Sequence, residues 1–338
     1  MTTKRPKAIL TMDGGGPNNL LTTLLLQRIE NARPGFLKGI DVISGTSSGS
    51  VTTLILGASE DRVAGINQAV SVMKDSTSTI GPHPLPQALL GLTGTAPFIC
   101  NNQAQEYFGN LFQGLTMKDL HLPTIIPAFQ LDNQAQLEAN RAWRPVLLHN
   151  LESIPSATPD LLVVDAYLRT TAVPIMMPPY QGFIDGGYFA DNPAMAALAL
   201  VVEQARRATG RSRRNAMGDV MILSVGTGRN PLYLETTKES EPWGYLKWLL
   251  DPANPFAALT AVFDGSQEFV DYLCESLLEP EAYFRLDPPL SVQIPSRDAL
   301  ALEKHQHRSL LDKLEDIAMA VPLGPVLAWL DQAQWCRT

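Results

Sequence analysis

The chain is poor in cysteine, in histidine and in long apolar runs. Its three cysteines, Cys100, Cys274 and Cys336, are spread over 338 residues. They are odd in number and form no CxxC pair, which argues against a disulfide framework or a zinc site and fits a reducing compartment. No stretch approaches the ~20 apolar residues of a membrane span. The apolar run Ala8–Leu10 behind the basic N-terminus is too short for a signal-peptide core. A protein made in the cytosol and staying soluble is expected, unless a dedicated export system recognises it. Basic residues are also outnumbered, 26 Lys and Arg against 34 Asp and Glu, for a net charge of −8. That excess offers nucleic acid no global attraction, so no nucleic-acid partner is expected. One local basic cluster, Arg206 to Arg214, reads as a solvated loop after a helix. Its alternative is a patch for anionic headgroups.

What is present is a chain with 45% hydrophobic residues, enough for a sizeable core. Lys7–Met12 (KAILTM) reads as a buried parallel strand ending in glycines. Leu20, Leu21, Leu24, Leu25 and Ile29 then recur at helical spacing until Pro34-Gly35. The same order repeats, with Ile40–Ser44 as strand, Gly45–Gly49 as turn and Ser50–Leu56 as helix. Pro123–Leu131 and, more weakly, Arg144–Leu148 read as strands. Asp185 falls in a loop. Asp191-Asn192-Pro193 opens a helix, and Asp219–Val225 is a further strand ending in Gly226-Thr227-Gly228. Strands alternating with helices predict an α/β fold, a mostly parallel sheet with helices on both faces. Amphipathic helices are expected from Ser296 to Trp335, with Leu300, Leu302, Leu310, Leu311 and Leu314 in the core. Two segments break the pattern, Thr79–Cys100 and Glu241–Phe263, and each reads as an insertion packed on the core or as a lid. Within the first, Pro82–Phe98 has the makeup of a mobile flap over the site.

Three glycine-rich stretches carry the chemistry. Gly45-Thr46-Ser47-Ser48-Gly49 fits G-x-S-x-G, a nucleophile elbow whose flanking glycines allow a tight strand-to-helix turn. The turn would set the Ser47 hydroxyl at a helix N-terminus, where negative charge is favoured. No histidine is a persuasive base. His305 and His307 lie in a charged helical segment, and His83, His121 and His149 in loop or proline-rich settings. Asp185, followed by Gly186 and Gly187, is the better candidate, because a carboxylate partly desolvated beside a serine has its pKa raised toward a useful value. A plain turn aspartate is the alternative. Asp13-Gly14-Gly15-Gly16 offers three successive N–H groups for an oxyanion or a phosphate. The phosphate alternative, an ATPase or kinase, is weakened by the leucine-rich helix that follows at once and by the lack of a GxxxxGK[ST] motif.

Together these stretches resemble the patatin-like phospholipases, lipid acyl hydrolases with a Ser-Asp dyad. The resemblance rests on DGGG at Asp13–Gly16, GTSSGS at Gly45–Ser50, RTTAVPIMMPP at Arg169–Pro179, DGGYFADNP at Asp185–Pro193 and SVGTG at Ser224–Gly228. It implies a three-layer patatin-like fold, with Ser47 as nucleophile and Asp185 as base. Gly14, Gly15 and Gly16 would form the oxyanion hole, with Gly45, Gly49, Gly186 and Gly187 shaping the turns. It implies a phospholipid or other acyl-lipid substrate, transient contact with a membrane surface, and no cofactor or metal. One position departs, since the family usually carries a basic residue where this chain has Asn18. A non-catalytic member of the fold stays open on that account. A single domain over 1–338 is expected, with motifs in 7–228 and a C-terminal extension over 229–338.

Overall fold

The computed structural model describes residues 6–80, 97, 99, 101–229, 232–234, 243–250, 256–290 and 304–336. A sheet of seven strands runs in the order β4 (Arg144–His149), β3 (Thr124–Gln130), β2 (Val42–Gly45), β1 (Lys7–Met12), β6 (Val220–Val225) and β7 (Tyr283–Leu286), with β5 (Phe183–Asp185) pairing β3. From β3 to β7 neighbours are parallel, while β4 and β5 run antiparallel to β3.

Strand alternation divides the core in two. On β1, Ala8, Leu10 and Met12 face one layer and Ile9 the other. The first layer holds α1 (Asn19–Ala32), α2 (Gly49–Ala58), α3 (Arg62–Thr79), α4 (Asn101–Phe112) and α5 (Val163–Thr171). On the other face lie the helices Ala194–Thr209 (α7) and Ala257–Leu277 (α10). Helices on both faces of a mostly parallel sheet make the three-layer arrangement that the motif order predicts. Between these elements lie the short helices α6 (Gly187–Ala190), α8 (Arg213–Met217) and α9 (Tyr245–Leu250).

Local rules account for most elements. Leu20, Leu21, Leu25, Leu26 and Ile29 give α1 its buried stripe, with Leu24 at the margin. Asp61 caps α3 by accepting from Val63 N at 2.9 Å and Ala64 N at 3.3 Å. Asn192 Oδ1 accepts from Ala194 N at 3.0 Å, and Pro193 stands just ahead of α7 instead of at its first helical position. The arginine cluster begins in the last turn of α7 with Arg206 and Arg207 and continues past Gly210, at the end of the sheet opposite the glycine loops. Arg206 and Arg207 pair with Glu203, and Arg211 with Asp219. Much of that charge is neutralised locally, as a solvated loop requires.

The C-terminal helices α11 (Lys304–Ala320) and α12 (Gly324–Gln332) return to the first layer. Leu310 and Leu314 are buried there and Leu311 partly so, while Leu300 and Leu302 lie outside the described residues. The expected flap, Pro82–Phe98, lies outside them too, apart from Pro97. Of the aromatic segment, Trp243 and Trp248 pack ring to ring at 5.2 Å, with Trp248 exposed at the surface. Among the described residues no helix is long and apolar enough to cross a membrane.

Trp335 ties the chain's end to its beginning. It is fully buried, stacks on Phe36 at 5.8 Å and donates from Nε1 to Phe36 O at 3.1 Å. Trp335→Ala should therefore cost about 3–5 kcal/mol, the usual range for deleting a buried aromatic. If residues 1–338 form one cooperative unit, circular dichroism and tryptophan fluorescence will shift together in one transition. Early loss of the C-terminal helices alone would mark a separate unit.

Candidate active site

Two strands share one edge of β3. Because β4 covers the opposite edge from Ile125 to Gln130, β2 and β5 must both lie on the remaining one. β2 pairs with Thr124 and Ile125 and then stops, and β5 approaches antiparallel and pairs from Gln130 down to Ala128. The chain turns leaving β2 and β5 therefore meet opposite Pro127. A proline fits there because it has no N–H to offer the missing strand. Thr170 on α5 fills the gap, donating from Oγ1 to Pro127 O at 2.5 Å and accepting from Ser47 N at 3.0 Å.

Ser47 follows β2 at the start of α2 and adopts φ 50°, a left-handed conformation unusual for a serine. That strained turn is the signature of a nucleophile elbow. It survives because Gly45 and Gly49 admit backbone where side chains would clash. A Cβ on Gly49 would sit 2.8 Å from Met12 O, and one on Gly45 2.5 Å from Gly49 O.

Asp185 is the last residue of β5 and not part of a loop, as its flanking glycines suggest from sequence. The Ser47 hydroxyl donates to its Oδ2 at 2.6 Å, and Gly187 N donates to its Oδ1 at 2.7 Å. The carboxyl group is fully buried, and burial pushes its pKa up to about 7 against the pull of those two bonds. Gly186 allows the close approach, since a Cβ there would fall on Pro127 C at 2.6 Å.

The glycine loop lies against this pair, with a Cβ on Gly14 only 3.2 Å from Ser47 Cβ. Gly14 is buried and gives its N–H to Asp191 O at 3.0 Å. Gly15 and Gly16 are exposed, and their N–H groups meet no acceptor among the described residues. Of the three glycines expected to donate, two have donors to spare. Asn19 bridges the loop and the elbow, donating from Nδ2 to Asp13 O at 3.0 Å and to Ser48 Oγ at 2.6 Å. Asn18 makes no side-chain cap at the start of α1.

Two more carboxyl groups are buried beside Ser47 and Asp185. Asp13 sits on the fork of Arg285, at 2.9 Å for Nη1 and 2.5 Å for Nη2. Burial pushes the Asp13 pKa up to about 7 against the pull of Arg285, while Asp13 outweighs the burial of Arg285 and holds the guanidinium protonated. Asp191 accepts from Gln267 Nε2 on α10, and its pKa is raised well above the carboxylate range by burial and then by Asp13 and Asp185. A Cβ on Gly187 would lie 2.6 Å from Asp191 Oδ1 and 3.1 Å from Asp185 Oδ1, so the two acids share one small space.

The histidines stand apart. His149 is buried on β4 with Ser156 and Leu151 N as partners, and burial pushes its pKa down to about 4. His121 is exposed, His83 lies outside the described residues, and His305 and His307 fall on α11. Among the described residues no group of three or more His, Cys, Asp or Glu is placed to hold a metal ion.

A family model for patatin-like phospholipases matches residues 10–198, which carry the glycine loop, the elbow and Asp185. The chain belongs to the patatin-like phospholipase family. It is 28% identical over 306 residues to protein teg of Priestia megaterium, covering 83% of this chain and 87% of that protein. The putative sporulation hydrolase CotR of Bacillus subtilis is also 28% identical, with 83% and 86% covered. The 85/88 kDa calcium-independent phospholipase A2 of Rattus norvegicus is 24% identical over 85% of this chain and 36% of its own length. Among solved structures, the type III effector ExoU aligns with 98% of this chain and about half of its own, 54%, at 15% identity and a TM-score of 0.37. The family match ends before β6, α10 and β7, so Gln267 and Arg285 lie beyond it.

The raised pKa of Asp185 has a consequence for stability. Its folded value, about 7, exceeds the ordinary unfolded value of about 3.9. The favourable contribution is therefore complete below about pH 4 and is lost as pH rises through 7. Asp185→Asn removes that loss, so its stability relative to the parent should grow between pH 5 and pH 8. Urea unfolding at both pH values measures the difference, and an unchanged difference would mean an ordinary carboxylate.

Proposed function

We propose that the chain hydrolyses carboxylic ester bonds in lipids, as a phospholipase A-type acyl hydrolase, with Ser47 as nucleophile and Asp185 as its base. The observation that carries this reading is the 2.6 Å hydrogen bond from Ser47 Oγ to a fully buried Asp185 carboxylate, made by a serine at positive φ. A buried carboxylate with a pKa near 7 can take the serine proton and later return it.

Asp185 accepts the Ser47 proton as Oγ attacks the acyl carbonyl. The resulting oxyanion lies on the N–H groups of Gly15 and Gly16, with Gly14 shaping the loop from behind. Collapse breaks the ester bond, and Asp185 gives its proton to the departing alcohol. Water then attacks the acyl-serine, Asp185 takes the water proton, and collapse returns it to Ser47 as the acid leaves. Base and electrophilic donors are all protein groups, so no step calls for a metal or a cofactor. The substrate is presented at a bilayer or micelle surface, so contact with the membrane is transient.

Purified protein with a soluble short-chain ester tests this. Ser47→Ala and Asp185→Asn should each lower kcat by about 10³-fold or more, and the double variant should lose no more than either single one, because the two act as a unit. Full activity in either variant would overturn the dyad and favour a non-catalytic role for the fold. In the parent, kcat/KM should rise with pH through about 7, where Asp185 loses its proton. A chelator should leave the rate unchanged, and a strict calcium requirement would mean that the electrophile has been misassigned.

A further inference from the structure

The N–H of Gly15 is aimed by groups that hold the carbonyl in the same peptide unit. Gly14 O accepts from Thr227 Oγ1 and from Gln267 Nε2, each at 3.4 Å. A trans peptide is planar, with its C=O and N–H on opposite sides. Donors that fix the Gly14 carbonyl on the protein side therefore turn the Gly15 N–H outward, to the exposed side of the loop. The next peptide is set in the same way, because Gly15 O accepts from Asn18 N at 3.2 Å and the Gly16 N–H must point opposite.

The residue before the glycines is fixed from a third direction. Arg285 on β7 grips both oxygens of Asp13 and also reaches Ser224 Oγ at 2.8 Å and Asp287 Oδ2 at 3.1 Å. Asp287 Oδ1 in turn accepts from Gly228 N at 2.9 Å, beside Thr227. One guanidinium thus joins the ends of β1, β6 and β7. Gln267 does the corresponding work from α10, joining Gly14 O to the Asp191 carboxyl while Asp191 O holds Gly14 N.

We propose that Gln267 and Arg285 are positioning residues for ester hydrolysis, aiming the oxyanion donors by holding the Gly14 carbonyl and the Asp13 carboxylate. The C-terminal third is then a working part of the active site. The cation that the chain lacks at Asn18 is supplied behind the loop by Arg285, where it orders the donors without touching the substrate. The inference rests on the hydrolase reading above.

Gln267→Glu tests it with little change of shape. A carboxylate cannot donate to Gly14 O, which then keeps only Thr227 Oγ1, so the Gly15 N–H is aimed less firmly. Losing an oxyanion donor outright costs about 10²–10³-fold, and a donor left in place but unaimed should cost about tenfold in kcat. KM for a soluble short-chain ester should stay within about twofold, because the interaction is made in the transition state. Gln267→Ala should behave alike; each variant also takes a donor from the buried Asp191 carboxyl, so some fall in melting temperature is expected and the kcat-against-KM split carries the test. Arg285→Lys keeps the charge but loses the fork, and should lower kcat by a similar factor. If Arg285→Lys fails to fold, the Gln267 variants decide. Backbone 15N order parameters at Gly15 and Gly16 should fall in all folded variants.

Parental kcat in both Gln267 variants would overturn the proposal, as would a change confined to KM. A fall in kcat with unchanged order at Gly15 and Gly16 would reduce both residues to structural ones. If the parent hydrolyses no ester at all, the hydrolase reading fails by itself. The order parameters still read the loop in that case, and unchanged values at Gly15 and Gly16 would sink the positioning role.

Discussion

A carboxylate with no solvent exposure is the constraint on which the rest of this structure depends. Burying Asp185 beside Ser47 is unfavourable, and only two hydrogen bonds, from the Ser47 hydroxyl and the Gly187 N–H, offset it. Nothing local could hold those groups together, since they are 138 residues apart in sequence. The sheet does it instead. β2 stops early on the edge of β3, β5 enters from the other direction, and the interruption at Pro127 leaves room for both turns. Thr170 closes that space with one hydroxyl, bonding Pro127 and the Ser47 backbone at once. The strained φ of Ser47 is sustained by this surrounding structure.

Three buried acids lie close together, and each is handled differently. Asp13 is matched to a guanidinium, yet burial still raises it to about 7. Asp191 is raised well above the carboxylate range by burial and by its acidic neighbours. Asp185 is given only neutral donors, and burial raises it to about 7 as well. The glycines make this crowding feasible, because at Gly14 and Gly187 any side chain would displace the Asp191 carboxyl.

Much of this was legible in the sequence, and the legible part was local. Lys7–Met12 and Asp13–Gly16 announce strand and turn through apolar run and glycines, and Gly45–Gly49 announces the elbow. Asp185 stood out by its glycines, yet its strand did not, because three residues, Phe183–Asp185, carry no readable alternation. The family match covers the same segment, residues 10–198. Gln267 left no trace, since a glutamine on an amphipathic helix looks like any solvated position. Arg285 sits in a four-residue strand where an arginine suggests an exposed edge. Asp191 read only as part of a helix start, and nothing beside it in sequence marked a buried acid. Each of these depends on which elements pack together, and that information is not local.

The division of labour follows from the same geometry. In a parallel sheet the turns after successive strands gather at one end, so the loops after β1, β2 and β6 converge without special design. Convergence alone would leave a mobile glycine loop, because three glycines in a row have the largest backbone freedom to lose. The polar contacts around Asp13–Gly16 remove that freedom, and they come from α1, β6, α10 and β7 alike. Order in a loop that must stay free of side chains can only be imposed from outside it. Strand β7 and helix α10, which extend the sheet and one layer beyond the motif-bearing segment, are where this chain finds two of those contacts.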